Sequence, residues 1–238
     1  MKRFLMSIFV LTLCIGAKAQ WSVGVMAGYD YNAYSMAKGY AYDYRYGGMG
    51  GLEVTVPVQY DFLDWLGVRM DVLYVQKGHT MHRTGVYEGM WTDTRDHYLH
   101  VPLMLSFSFG GRKVRGWVDA GGYVGGWLAS LQKGVESYVI GDEPEQEGSF
   151  VYYQDVRAYH FNEKVEFDSR RDRRFDAGLT GLAGVGWRVT PLVELRLEGV
   201  CWYSLIDTAS GTADNVAPRY NTTWALRLGC AFHFGERK

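Results

Sequence analysis

The chain of 238 residues is 47% hydrophobic and 16% aromatic, carries a formal net charge of −1 and has three cysteines. Such a weak acidic balance argues against a general nucleic-acid binder, and three cysteines do not make a disulfide framework. After the N-terminal segment no stretch reaches the roughly 18 apolar residues of a membrane helix, so any membrane crossing must be made by strands.

Residues 1–19 have the pattern of a secretory signal peptide: Lys2 and Arg3, an apolar run from Phe4 to Gly16, then Ala17-Lys18-Ala19 before Gln20. Cleavage there removes Lys2, Arg3 and Lys18, lowers the net charge from −1 to −4, and leaves residues 20–238 as one domain whose cysteines are Cys201 and Cys230. Cys14 follows Leu13, which is bulky where a lipoprotein box needs a small residue, so lipidation is not expected.

From Gln20 onward, period-two alternation replaces helical spacing. It predicts eight strands, at 21–31, 49–62, 66–78, 97–109, 114–129, 173–189, 192–204 and 221–234. The clearest is Val193–Val200, with Glu194, Arg196 and Glu198 on one face and apolar residues on the other; Val68–Tyr74 and Leu99–Phe109 repeat the pattern. The connections alternate in length. Segments 32–48, 79–96, 130–172 and 205–220 are long, whereas 63–65, 110–113 and 190–191 are tight. Outer-membrane barrels join their strands in this way, with short periplasmic turns and longer external loops. The expected architecture is therefore all-β: an eight-stranded antiparallel up-and-down transmembrane β-barrel in the cell outer membrane, both chain ends on the periplasmic side.

Aromatic residues should collect where such strands leave the bilayer. Trp21, Tyr60, Phe62, Phe107, Phe109, Trp187, Phe232 and Phe234 fall at the periplasmic ends, and Tyr29, Tyr74, Phe175, Tyr203 and Trp224 at the outer ends. A soluble barrel of the lipocalin kind would turn its apolar face inward and meet water with mixed, lysine-rich positions. Here the alternate positions are mostly arginine and carboxylate with glycine between them.

Three segments carry a family resemblance. Leu66–Gly78, ending Tyr74-Val75-Gln76-Lys77-Gly78, resembles the Tyr-Ser-Gln-Lys-Gly strand of the PorT-type outer-membrane β-barrel family of Bacteroidota, with Val75 in place of serine. Tyr98–Leu105 is similar to that family's Tyr-Leu-x-(Ile/Val)-Pro-Leu strand, and Phe175–Gly186 to its glycine-rich sixth strand. The resemblance spans nearly all of residues 20–238. It implies an eight-stranded barrel behind a signal peptide and brings no catalytic residues.

With the apolar face toward lipid, the interior receives Glu53, Asp71, Asp119, Asp176, Glu194 and Glu198 together with Arg69, Lys77, Arg115, Arg188, Arg196 and Arg227. An eight-stranded barrel is only wide enough for its own side chains, so these charges must pair. Balanced signs predict an ion-paired plug; the alternative is a narrow ion path. Interior Gly121, Gly125, Gly178, Gly184 and Gly186 are expected to leave room for Trp117, Tyr123 and Trp127. Pro102, and with it Pro57, should mark a bulge or irregular pairing.

Chemistry-bearing residues are sparse. His79 and His82, and likewise His97 and His100, lie three apart, which places each pair on opposite faces of a strand; they read as exposed loop histidines without a metal-ligand set. Ser204, Asp207 and Ser210 are rim candidates for an outer-membrane enzyme, but no histidine lies near them in sequence. No catalytic, cofactor-binding or metal residue is assigned and no cofactor is expected.

Contacts are expected through the loops. Residues 32–48 are tyrosine-rich, with Tyr34, Tyr40, Tyr42, Tyr44 and Tyr46. Segment 130–172 is acidic at Glu136, Asp142, Glu143, Glu145 and Glu147, aromatic at Tyr152 and Tyr153, and basic at Arg170, Arg171, Arg173 and Arg174. The expected partners are outer-membrane lipids including lipopolysaccharide, whose phosphates Arg170 and Arg171 could meet, and a protein or surface partner through 32–48 and 130–172; the barrel itself is expected to be monomeric.

Overall fold

The computed structural model describes residues 20–36, 44–85, 88–140, 155–168, 172–206 and 219–234; the expected signal peptide, 1–19, lies outside them. The strands are β1 (Gln20–Met36), β2 (Tyr44–Asp61), β3 (Leu66–Arg83), β4 (Trp91–Gly110), β5 (Val114–Ile140), β6 (Asp155–Lys164), β7 (Phe175–Arg188), β8 (Val193–Ser204) and β9 (Arg219–Phe234). All pairings are antiparallel, in the order β4-β3-β2-β1-β9-β8-β7-β5-β6, and a β4–β5 pairing closes the ring. Eight strands make the barrel. The ninth, β6, pairs with β5 alone, above the ring.

The wall is inside out relative to a soluble protein. Leu103, Leu226 and Leu228 are about 60% exposed, whereas Arg69, Asp71, Asp119 and Glu198 are fully buried. Apolar side chains facing outward suit hydrocarbon, and the closed ring leaves no barrel strand with an unpaired edge inside the bilayer. Exposed aromatics gather at both ends as expected: Trp21, Phe109, Trp187 and Phe234 below, Tyr29, Phe175, Tyr203 and Trp224 above. Trp65, in a periplasmic turn, joins the lower set. At Gly110, φ is +112°, a left-handed conformation that costs an L side chain and lets β4 turn tightly into β5.

The sequence underestimates strand length on the outer side. Segment 79–96 is largely a continuation of β3 and β4, with His79 opposite Thr94 and His82 opposite Trp91. Segment 32–48 likewise contains the end of β1 and the start of β2, Tyr44 pairing with Arg83. Above the membrane both faces of these strands carry polar residues, so the alternation that marks a strand disappears while the hydrogen-bond ladder continues. Within 130–172 the same effect hides a hairpin: Leu131–Ile140 of β5 pairs with Asp155–Lys164 of β6.

Pro102 does not sit at a bulge. It faces Tyr123 in register, and on the β3 side the ladder lapses opposite Asp71 and Val72 but resumes unshifted at Leu73–His100. Irregular register falls at His97/Tyr98 in β4 and between Met49 and Glu53 in β2; Pro57 is in register with Asp71.

Candidate functional site

The lumen is filled in tiers. At its centre Arg69 (β3) donates to Asp71 at 2.7 and 3.1 Å, to Glu198 (β8) at 2.6 and 3.0 Å and to Asp119 (β5) at 3.3 Å. Arg227 (β9) donates to Glu198 at 2.8 Å and stands 3.3 Å from Asp71 and 3.9 Å from Glu53 (β2). Five strands from opposing walls thus meet in one network. In a low-dielectric interior such charges hold only when each is paired, which makes the network a cross-brace as well as an obstruction.

Above it, Asp176 (β7) accepts from Ser204 at 2.7 Å and from Lys77 at 3.1 Å, with His100 Nε2 at 3.2 Å. The Lys77 ammonium lies 5.0 Å over the Tyr98 ring and 5.5 Å over Tyr123. His100 stacks on Tyr123 at 4.6 Å, Tyr123 meets Trp202 edge-on at 5.5 Å, and Tyr98 stacks on Trp127 at 5.9 Å. Nearest the outer mouth, Asn32 donates to Asn221 and to the Gly78 carbonyl and accepts from Thr223. Below the centre, Arg196 donates to Glu194 at 2.8 Å and lies 4.9 Å over the Trp117 ring.

The glycines make this packing possible. A Cβ at Gly184 would stand 2.5 Å from the Trp117 ring, one at Gly178 2.7 Å from Tyr123 and one at Gly125 2.2 Å from His100. Trp117 and Tyr123 thus lie against backbone that no other residue would leave open.

Of the twelve expected interior charges, ten are buried, while Arg115 and Arg188 sit at the periplasmic rim. Asp30 and Asp96 join the buried set, so the described interior holds eight carboxylates (Asp30, Glu53, Asp71, Asp96, Asp119, Asp176, Glu194, Glu198) against Arg69, Lys77, Arg196 and Arg227, with His100 and His233 besides. The expected balance of signs is corrected to an acidic excess. Alternation from Gly28 inward to Asp30, and from His100 back to Asp96, carries the signal: Asp30 is the next-to-last residue of the expected strand 21–31, and Asp96 lies one residue outside the expected strand 97–109.

The histidines are also corrected. His100 is fully buried, and His97 faces outward, its Nδ1 2.5 Å from the Tyr74 hydroxyl; neither is a loop residue. Among the described residues no group of three or more His, Cys, Asp or Glu side chains could hold a metal ion. Ser204 does acquire a histidine neighbour, but through Asp176: hydroxyl and imidazole approach the same carboxylate, and all three are buried. A hydrolytic relay needs the imidazole between hydroxyl and carboxylate. Asp207, Ser210, Arg170 and Arg171 lie outside the described residues.

A closed ring of eight antiparallel strands with an apolar exterior and a braced polar lumen is a transmembrane β-barrel of the bacterial outer membrane. The chain belongs to the outer membrane protein beta-barrel domain family, whose model matches residues 17–210. Among solved structures it is similar to the outer membrane protein OprG from Pseudomonas aeruginosa, with 12% identity, 92% of this chain and 97% of that chain covered, and a TM-score of 0.50. Neisserial surface protein A (14% identity, 91% and 99% covered, TM-score 0.42) and the attachment invasion locus protein Ail of Yersinia pestis (14%, 90% and 98%, 0.42) are further likenesses. At these identities the likeness concerns the fold. No curated protein matches.

Proposed function

We propose that this outer-membrane barrel is a non-enzymatic anchor that presents an ordered sheet on the cell surface for binding. The observation that carries this reading is β5. It runs for 27 residues, where about 9–11 suffice to cross the bilayer, and after its β7 pairing ends at Gly126 it continues against β4 to Val135 and against β6 from Leu131 to Ile140. Ordering those residues costs about 1–2 kcal/mol each in backbone entropy and is not needed to join β5 to β7.

The outer edge of β6 has no partner strand among the described residues, so an extended protein segment can add to it by main-chain hydrogen bonding. The resemblance of Leu66–Gly78 and Tyr98–Leu105 to PorT-type strands supports the finer family reading. Lipopolysaccharide phosphates suit the exposed Arg173 at the foot of this sheet; Arg174 is already held by the Trp127 carbonyl at 3.0 Å and by the Phe167 ring.

Val135 and His160 are a registered pair, so replacing residues 136–159 by a short Gly/Ser turn trims the hairpin without disturbing the ring. The trimmed protein should still run faster unheated than boiled on a detergent gel, and should lose the surface cross-links of the full chain. Unchanged cross-links in a folded variant defeat the proposal. The acidic excess of the lumen favours a second reading, a narrow cation path. Planar bilayers separate the two: the anchor gives no stable large steps.

A further inference from the structure

Above the ring β6 gives one edge to β5, and its other edge pairs with no strand among the described residues. A bare edge offers a row of main-chain donors and acceptors to any strand that can lie beside it. The β5–β6 hairpin is ordered from within: Tyr159 donates to Glu136 at 3.2 Å, its ring lies 6.3 Å from that of Phe161, and Phe161 rests against Gly134. These contacts run across to β5 or along β6, away from the free edge. Ala158, His160, Asn162, Glu163 and Lys164 are exposed.

The order of residues in β6 decides which strand suits that edge. Laid antiparallel against a second copy of itself about a two-fold axis at His160, it sets Arg157 opposite Glu163 twice, Tyr159 opposite Phe161 twice and Ala158 opposite Asn162. Opposite charges and aromatic pairs directly across two strands contribute about 0.2–1 kcal/mol each. Centring on Tyr159 instead sets Asp155 against Glu163, and centring on Phe161 sets Tyr159 against Glu163. Parallel pairing in register sets every charge against its own kind.

Strand direction then fixes where the second copy stands. β5 climbs from the periplasmic turn at 110–113, so β6, antiparallel to it, descends toward the membrane. Two copies upright in one membrane both send β6 downward and cannot pair it antiparallel. An inverted copy, on a facing membrane, can. His160 is in register with Val135, nine residues beyond Gly126, where the β7 pairing ends; that is about 30 Å along the strand, which holds the paired region clear of both barrels.

We propose that β6 is a homophilic adhesion edge, pairing antiparallel about His160 with β6 of a second copy on an apposed outer membrane. The contact is isologous, the same patch serving both copies. The inference rests on the surface-binding reading above and names its partner as the chain itself.

Two populations of a Gram-negative host with short lipopolysaccharide, one green and one red, each express the full chain; they are mixed and scored by microscopy for two-coloured clumps. Parent cells should form clumps that cells lacking the chain do not. Glu163→Arg sets arginine against arginine and Arg157→Glu sets glutamate against glutamate, so each variant should clump with itself about tenfold less. Glu163→Arg cells mixed with Arg157→Glu cells should clump like the parent, because both Arg–Glu pairs are restored. Both positions lie above the ring, and Glu163 stands opposite Gln132 in its own hairpin, so the heat-modifiable band should persist. If Glu163→Arg does not fold, Glu163→Gln should give a smaller loss in the same direction. Parent cells that stay apart, a folded single variant that clumps like the parent, or two variants that do not clump with each other overturn the proposal. Cross-links between copies on single, unclumped cells overturn it in favour of pairing within one membrane. Parent cells that stay apart, yet keep cross-links to another surface protein that are lost on trimming 136–159, remove this inference and leave the surface-binding reading standing.

Discussion

Replacing Arg69 by methionine removes the cation at the centre of the lumen while keeping a side chain of comparable length. Arg69 is fully buried and makes five hydrogen bonds to Asp71, Asp119 and Glu198. After the change Asp71 and Glu198 keep Arg227, at 3.3 and 2.8 Å, but Asp119 loses the cation it contacts. Breaking a buried pair by removing one partner costs about 3–5 kcal/mol, because the remaining charge is left without compensation. With a urea slope of about 2 kcal/mol per M, the unfolding midpoint of the protein in lipid vesicles should fall by about 2 M. Gel mobility of unboiled samples and tryptophan fluorescence both follow the transition. Adding Glu198→Gln should cost less than the two single losses combined, since both act on one network. A midpoint shift under about 0.5 M would mean that water already solvates these carboxylates. The plug would then be wrong, and conductance should appear in planar bilayers.

Two further predictions test the register and the packing. Cys201 lies opposite Trp224 and Cys230 opposite Leu195, six positions apart along β8, or about 20 Å at strand rise; a disulfide needs Cα atoms within about 7 Å, so mass spectrometry of the oxidised protein should find both thiols free. Gly184→Ala should destabilise the barrel by about 1–3 kcal/mol through its clash with Trp117, and Trp117→Leu should recover part of the loss; an Ala variant as stable as the parent refutes the packing.

Much of the barrel can be read without coordinates because membrane strands must show hydrocarbon an apolar face at every second residue. Val193–Val200 displays that rule openly, and the strand count, the turns at 63–65, 110–113 and 190–191 and the inward set around Arg69 all follow from it. The rule fails where the bilayer ends. In 79–96 and in the described parts of 130–172 polar residues occupy both faces, the apolar alternation is no longer enforced, and the extensions of β3, β4 and β5 and the whole of β6 are written only in hydrogen bonds between distant segments.

The same limit applies to the lumen. Period two says which side chains point inward, but which of them meet depends on the register between strands that close the ring from opposite ends of the chain. Arg69 and Glu198 are 129 residues apart and bond at 2.6 Å because the ring brings β3 and β8 to face each other. Ser204 and His100 converge on Asp176 for the same reason. The inward or outward direction of each membrane residue was therefore determined by the sequence itself, through the hydrocarbon's demand for an apolar face. The pairing of the charges and the acidic excess of the lumen were decided only by the tertiary structure, because ring closure and stagger set distances that no local pattern encodes.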